Sequence, residues 1–184
     1  MKLLMHICCV PCAIYPIKLA KYDGYEKIGS LFYNPNIHPT KEYEKRRKEI
    51  KFLVESEDLA ALDAGYDPGE YFKTIKDFDD ASKRCESCWM LRIEKTAQTA
   101  EREGFDAFST TLLASPYQNH AAVKEMCRKY SESYNVKFYY KDFRIGFNEA
   151  HNEARKRSIY CQNYCGCVFS LVEREEVRMK KKIK

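Results

Sequence analysis

All but one of the nine cysteines in this 184-residue chain fall into three short clusters, a spacing suited to metal binding or electron exchange. The clusters read H-I-C-C-V-P-C (Cys8, Cys9, Cys12), R-C-E-S-C (Cys85, Cys88) and C-Q-N-Y-C-G-C (Cys161, Cys165, Cys167), and only Cys127 stands apart. Thiols that fill gaps in a core scatter along a chain, whereas thiols that hold metal or cycle electrons come in close pairs. An extracellular disulfide framework fits poorly. The opening M-K-L-L-M-H-I is too short for a signal peptide, is interrupted by His6 and lacks a small-residue cleavage site. A chain of this length also builds an ordinary core without covalent staples. No apolar stretch approaches the length of a membrane span. The expectation is therefore a cytoplasmic protein with reduced thiols and no membrane partner.

Three chemistries compete for the clusters. Cys9-Val10-Pro11-Cys12, after a strand and opening a helix, has the form of a thioredoxin pair, but such a pair needs no third or fourth thiol. Cys85 and Cys88 could supply half of a tetrahedral zinc site, with Cys9 and Cys12 as the other half. A cubane iron–sulfur cluster accounts for more of the pattern, because adjacent side chains point apart and reach different irons. That reading pairs Cys8 and Cys9 with Cys85 and Cys88. Arg84 would then offset the anionic thiolates and His6 would bond a cluster sulfur, unless each is an ordinary surface arginine and core histidine. Cys165-Gly166-Cys167 closes a disulfide only through a small, strained and easily reduced ring, the property of a redox dithiol. In the rival assignment a second metal takes some of Cys12, Cys161, Cys165 and Cys167, with the carboxylate of Asp142. Cys127, on the stripe Val123, Cys127, Tyr130, Tyr134, reads as inert core.

The elements that must position these groups alternate strand and helix. Strands are expected at Lys2–Ile7, Lys27–Tyr33, Leu59–Ala64, Ala107–Leu112 and Val136–Phe143. Helices are expected over Pro11–Lys21, from Thr40 with Tyr43, Arg47, Ile50 and Val54 on one stripe, over Cys88–Glu103, and from a Ser115-Pro116 cap to about Tyr134. Two more helical stretches flank the last cysteine cluster. Such units predict an α/β fold, a Rossmann-like (HUP-like) parallel sheet with helices on both faces. Ligands of these sheets lie beyond the carboxyl ends of the strands, where the first cysteine cluster, N-P-N-I-H-P, T-L-L-A-S-P-Y-Q and K-D-F-R should converge. The net charge of +5 and the 14% aromatic content permit polyanion and base binding without requiring them.

Six ordered motifs carry a resemblance. H-I-C-C-V-P-C, F-Y-N-P-N-I-H-P, R-C-E-S-C, T-T-L-L-A-S-P-Y-Q-N-H, Y-Y-K-D-F-R and Y-C-G-C-V-F-S, spanning Met1 to about Leu171, resemble the QueH family of epoxyqueuosine reductases. The resemblance implies two-electron reduction of the epoxide of epoxyqueuosine at the tRNA wobble position to queuosine, the last step of queuosine biosynthesis. It places a [4Fe-4S] cluster on Cys8, Cys9, Cys85 and Cys88 and a redox-active disulfide on Cys165 and Cys167. A single α/β iron–sulfur reductase domain is expected over residues 1–175, followed by a basic tail over 176–184 that lies outside the resemblance. No glycine-rich flavin or nicotinamide fingerprint is visible, so an external electron donor is expected. Asp142, Tyr117 and His120 are the motif-borne candidates for protonating the epoxide oxygen. Arg46, Arg47 and Arg144 are those for phosphate contact. The competing class is a zinc-dependent thiol–disulfide protein or a metal-stabilised RNA-binding module without reductase activity.

Overall fold

The computed structural model describes residues 1–182, and within them five parallel strands form one sheet in the order β3-β2-β1-β4-β5. The strands are β1 (Lys2–His6), β2 (Lys27–Leu31), β3 (Ala60–Leu62), β4 (Ala107–Thr110) and β5 (Lys137–Phe138). β1 lies at the centre, in register Lys2↔Lys27 to His6↔Leu31 with β2 and Leu3↔Ala107 to His6↔Thr110 with β4. A strand flanked on both sides and covered on both faces must be apolar throughout, and Leu3, Leu4 and Met5 are fully buried.

Seven α-helices lie among the described residues: α1 (Val10–Tyr22), α2 (Thr40–Glu57), α3 (Pro68–Ile75), α4 (Ala81–Arg102), α5 (His120–Ser133), α6 (Phe147–Lys156) and α7 (Val168–Lys182). α1 packs on α2 and α6, while α4 packs on α3, α5 and the strands β1 and β4. With right-handed crossovers, the reversal of strand order at β1 sends these two groups to opposite faces of the sheet. The expected α/β architecture is the one observed. None of the described helices is long and apolar enough to cross a membrane.

Several boundaries differ from the sequence expectation, each for a local reason. α4 begins at Ala81 rather than Cys88, because the Asp80 carboxylate accepts from the Lys83 N–H at 2.9 Å and caps it. Cys85 and Cys88 therefore share one helix face at i, i+3. α5 is capped by Asn119, not Ser115, the Asn119 side chain accepting from the Ala122 N–H. Ser115 instead accepts the Tyr117 N–H at 3.2 Å and so forms a turn. β5 keeps two residues; residues 139–142 run on without regular structure to a short 3-10 turn at Phe143–Gly146. On α2 the buried stripe is Tyr43, Arg46, Ile50 and Leu53, which leaves Arg47 and Val54 at its margin. α7 crosses position 175/176 without a break, so the basic segment begins inside a helix, and residues 183–184 lie outside the described residues.

Candidate functional site

The strand order reverses between β1 and β4, and the loops leaving those two strands open a crevice at their carboxyl ends. From β1 come Cys8, Cys9 and, one turn into α1, Cys12. From β4 come Thr111 and the segment Ser115–Gln118. The three thiol sulfurs all lie within 4.8 Å of one another, with 3.8 Å between those of Cys8 and Cys9. Thr111 fixes the loop, its Oγ1 accepting the Cys8 N–H at 3.3 Å and lying 3.5 Å from the Cys8 sulfur. The Gln162 amide, from the segment between α6 and α7, donates to Cys9 Sγ at 2.7 Å.

Two cavities meet here. The first, about 480 Å³, is bordered by Cys8, Cys12 and Cys165; the second, about 430 Å³, by Cys85, Cys88, Cys165 and Cys167. Arg92, Tyr117, Gln118 and Cys165 line both. Seven of the nine thiols thus converge on one crevice, all nine of them free.

The Cys165-Gly166-Cys167 turn is held from behind. The Arg46 guanidinium, only 2% exposed, donates to the carbonyls of Tyr164 (3.2 Å) and Cys165 (3.1 Å) and pairs with Glu42 at 2.7 Å. His38 N–H donates to the Gly166 carbonyl at 2.7 Å, and Tyr164 O–H returns a bond to the His38 carbonyl. N-P-N-I-H-P is therefore a brace for the last cysteine cluster. Gly166 has φ +128°, a conformation that side chains resist.

Arg92 is the electrostatic centre of the crevice. It is 2% exposed, its Nε donates to the Cys88 carbonyl at 3.0 Å, and its Nη2 is buried without a partner. No carboxylate among the described residues pairs with it. A buried cation with an orphaned donor calls for anionic neighbours, and the groups around it are thiols. Burial raises the Cys88 thiol to about 12 and also raises Cys165, and in both cases Arg92 opposes the shift. Hydrogen bonds from Cys12 and Cys9 hold the Cys8 thiol well below its ordinary value. Cys12 is raised by its bonds to Cys8 and Cys9 and by burial. This donor set fits an anionic thiolate-bound group such as an iron–sulfur cluster.

A family model described as epoxyqueuosine reductase QueH matches residues 3–173. The chain belongs to the epoxyqueuosine reductase QueH family, and it is an oxidoreductase. Epoxyqueuosine reductase QueH of Thermotoga maritima is 40% identical over 184 aligned residues, covering 94% of this chain and 92% of that protein. The QueH of Dehalococcoides mccartyi is 32% identical, covering 94% of each. Among solved structures, a predicted tRNA methyltransferase subunit from Methanocaldococcus jannaschii superposes with a TM-score of 0.52 at 10% identity, over 86% of this chain and 89% of that one. A deacetylase of teicoplanin biosynthesis superposes with a TM-score of 0.51 at 12% identity, over 75% and 65%. At such identities these two likenesses concern the fold alone.

Within this QueH fold the expected site residues separate. Cys8, Cys9, Cys85, Cys88, Cys165 and Cys167 gather at the crevice, and Cys12 joins the first three. Cys161 and Asp142 border neither cavity. Cys161 Sγ lies against the Ile159 carbonyl. Asp142 makes a two-point ion pair with Arg144 (2.8 and 2.6 Å), which holds its carboxyl down at about 2. Arg144 is thereby engaged, as is Arg47 with Glu44 and Asp63. Arg46 is a buried brace and not a free phosphate contact. His120 lies beside Tyr140, while Tyr117 stands at the mouth of both cavities. His6 is core: its Nε2 donates to the Tyr33 carbonyl and its Nδ1 accepts from Thr110. Burial, with Arg92 adding to it, lowers its pKa to about 4. Arg84 stacks on Phe169 at 4.2 Å and borders the second cavity. Cys127 is buried, and burial alone raises its thiol.

Arg92, Gln118 and Gln162 were missed in the sequence. A charged residue on the apolar stripe of α4, at i+4 from Cys88, was the available signal for Arg92. Arg92→Met is expected to leave the metal-free protein as stable or more stable, by up to about 4 kcal/mol, because it removes a buried cation with an orphaned donor. The same change should reduce the metal retained through anaerobic purification. Thermal melting and metal analysis of one preparation check both signs.

Proposed function

We propose that this chain reduces the epoxide of epoxyqueuosine at the wobble position of tRNA to the alkene of queuosine, in the cytoplasm, as the final step of queuosine formation. The observation that carries the reading is the convergence of three separate cysteine clusters on one crevice around a buried, unpaired Arg92. The printed activity of the relatives supplies the substrate. In this reading Cys8, Cys9, Cys85 and Cys88 hold a [4Fe-4S] cluster, and Cys165 and Cys167 form the redox pair. The cluster supplies electrons one at a time when bound.

The chain's own thiols balance the reaction. Both carbon–oxygen bonds of the epoxide break and a carbon–carbon double bond forms. The oxygen leaves as water with the two thiol protons, while the two sulfurs join in a disulfide. An external donor returns two electrons and two protons to that disulfide. Gln118, which donates to Cys165 Sγ at 3.9 Å and accepts from the Trp89 indole N–H at 2.7 Å, orients the sulfur that faces both cavities. Asp142, ionised at neutral pH within its pair with Arg144, has no proton to give.

A second reading follows from the Cys8, Cys9 and Cys12 trio, whose sulfurs are close enough for one mononuclear ion. Zinc there would make this a structural or thiol-exchange centre. Anaerobically purified protein is expected to be brown, with iron and acid-labile sulfide in equal amounts. With a chemical reductant it should convert tRNA-borne epoxyqueuosine to a nucleoside lighter by one oxygen, read by mass spectrometry of the digested tRNA. Colourless protein carrying zinc alone and leaving the epoxide intact would overturn the proposal.

A further inference from the structure

The two cavities differ in what they can hold. The first is walled by Arg92 and Arg155 and the amides of Gln118, Gln162 and Asn163, together with Arg46, whose charge Glu42 takes up; no Asp or Glu is among its described lining residues. The second carries Glu173 and the thiols of Cys85, Cys88 and Cys167. Amide groups read the edges of an unstacked base, and a cationic wall without carboxylates favours its phosphates. At about 480 Å³ the first cavity is within the range of small-ligand sites, about 300–1,000 Å³.

An exposed aromatic ring stands at its mouth. Tyr117 is 85% exposed and is the exposed aromatic ring that borders this cavity. Its backbone is tied by the Ser115 turn, and its ring meets Phe147 edge-on at 6.1 Å and 81°. Phe147 in turn lies tilted against His151, with ring centroids 4.0 Å apart. The ring is therefore supported from the side and open above. One helical face further along α6, Arg155 borders the same cavity, bonded to the Asn152 amide and without a carboxylate partner among the described residues.

We infer that the first cavity receives a single nucleobase extruded from an RNA loop, that Tyr117 is the platform on which this base or its neighbour stacks, and that Arg155 grips the adjoining phosphate. The inference deepens the proposed reduction and rests on it for the identity of the base. It assigns Tyr117 a positioning role through its ring face, distinct from proton donation through its hydroxyl. Extrusion is least costly from single-stranded loops, where the unstacking is already partly complete.

The test uses anaerobic full-length protein as Tyr117→Phe, Tyr117→Ala and Arg155→Gln, with bound iron measured in each. Tyr117→Phe keeps the stacking face and should behave as the unsubstituted protein. Tyr117→Ala should raise KM for epoxyqueuosine-bearing tRNA by about ten- to a hundredfold, the effect of one lost base–aromatic stack, with iron content unchanged. Arg155→Gln should flatten the slope of log affinity against log salt by about 0.7, the value for one single-strand phosphate contact. Anisotropy binding of a fluorescent anticodon stem–loop reads the platform independently of turnover. If the unsubstituted protein leaves the epoxide intact, the proposed reaction fails while that binding still decides the subsite. Tyr117→Phe as damaging as Tyr117→Ala would assign the role to the hydroxyl. Unchanged KM and stem–loop affinity in Tyr117→Ala would remove the platform.

Discussion

Serine in place of Cys8, Cys9, Cys85 or Cys88 is expected to strip the protein of the proposed iron–sulfur cluster and of its turnover together. A hydroxyl is a harder and far less acidic donor than a thiol, and it leaves one iron without an anionic ligand. Even outer-shell partners of metal ligands cost roughly 10–100-fold in affinity or activity when removed, so losing a ligand should exceed that. Cys9 and Cys88 are buried, so a serine there also leaves a hydroxyl short of partners. Cys12→Ser decides between the readings of the amino-terminal trio. If it keeps the cluster, the four-cysteine assignment holds; if it loses as much iron as Cys8→Ser, the metal is held by Cys8, Cys9 and Cys12. Cys127→Ala is the matched control. Its sulfur is fully buried, and the change should lower thermal stability while iron per folded chain stays constant. Visible absorption that survives all four ligand substitutions and vanishes with Cys127→Ala would sink the assignment.

The sequence made the sheet legible because strand and helix patterns alternate at lengths that a parallel sheet accommodates, while the strand order, with β1 at the centre, was not readable from it. From that alternation alone the first cysteine cluster and T-L-L-A-S-P-Y-Q could be placed on one edge, and the structure places them there. What stayed hidden depends on tertiary contacts. Arg46 and Arg47 are adjacent on α2, and which one turns inward is settled by the carbonyls of Tyr164 and Cys165, more than a hundred residues away. The start of α4 rests on Asp80, inconspicuous in a polar stretch, and without it Cys85 reads as a loop residue. Asp142 stands in a motif with Arg144, and only the geometry reveals that each occupies the other. Arg92 was overlooked for a different reason: the sequence offers its place on the apolar stripe of α4 but not its role. Its meaning comes from being buried without a carboxylate, a property of the folded crevice and not of its neighbours in sequence. Local rules fail most where the site is built, because buried charge and positive-φ backbone are tolerated there for the sake of chemistry.

The largest effect on chemistry with the smallest effect on metal is expected at the Cys-Gly-Cys turn. Cys165→Ser and Cys167→Ser should each stop epoxide reduction, since one thiol cannot close the disulfide that balances the two-electron step. Both should retain iron, because neither belongs to the proposed ligand set. Thiol titration of the unsubstituted enzyme after oxidation and re-reduction should show two groups lost and regained, and neither variant should show that change. Gly166→Ala sharpens the test. The sequence suggests a mild change, a methyl group added to a small ring. The structure gives Gly166 a φ of +128° and places an added Cβ 3.0 Å from Ile37 Cγ1 and 3.3 Å from Arg46 Nη1. Alanine must therefore strain the backbone or displace the arginine that holds the Tyr164 and Cys165 carbonyls, at a cost of about 1–3 kcal/mol. Turnover should fall sharply and thermal stability modestly, with both sulfurs and the iron still present. If instead iron falls in step with activity across Cys165→Ser, Cys167→Ser and Gly166→Ala, and titration finds no reversible pair, these thiols hold metal and the dithiol mechanism is wrong.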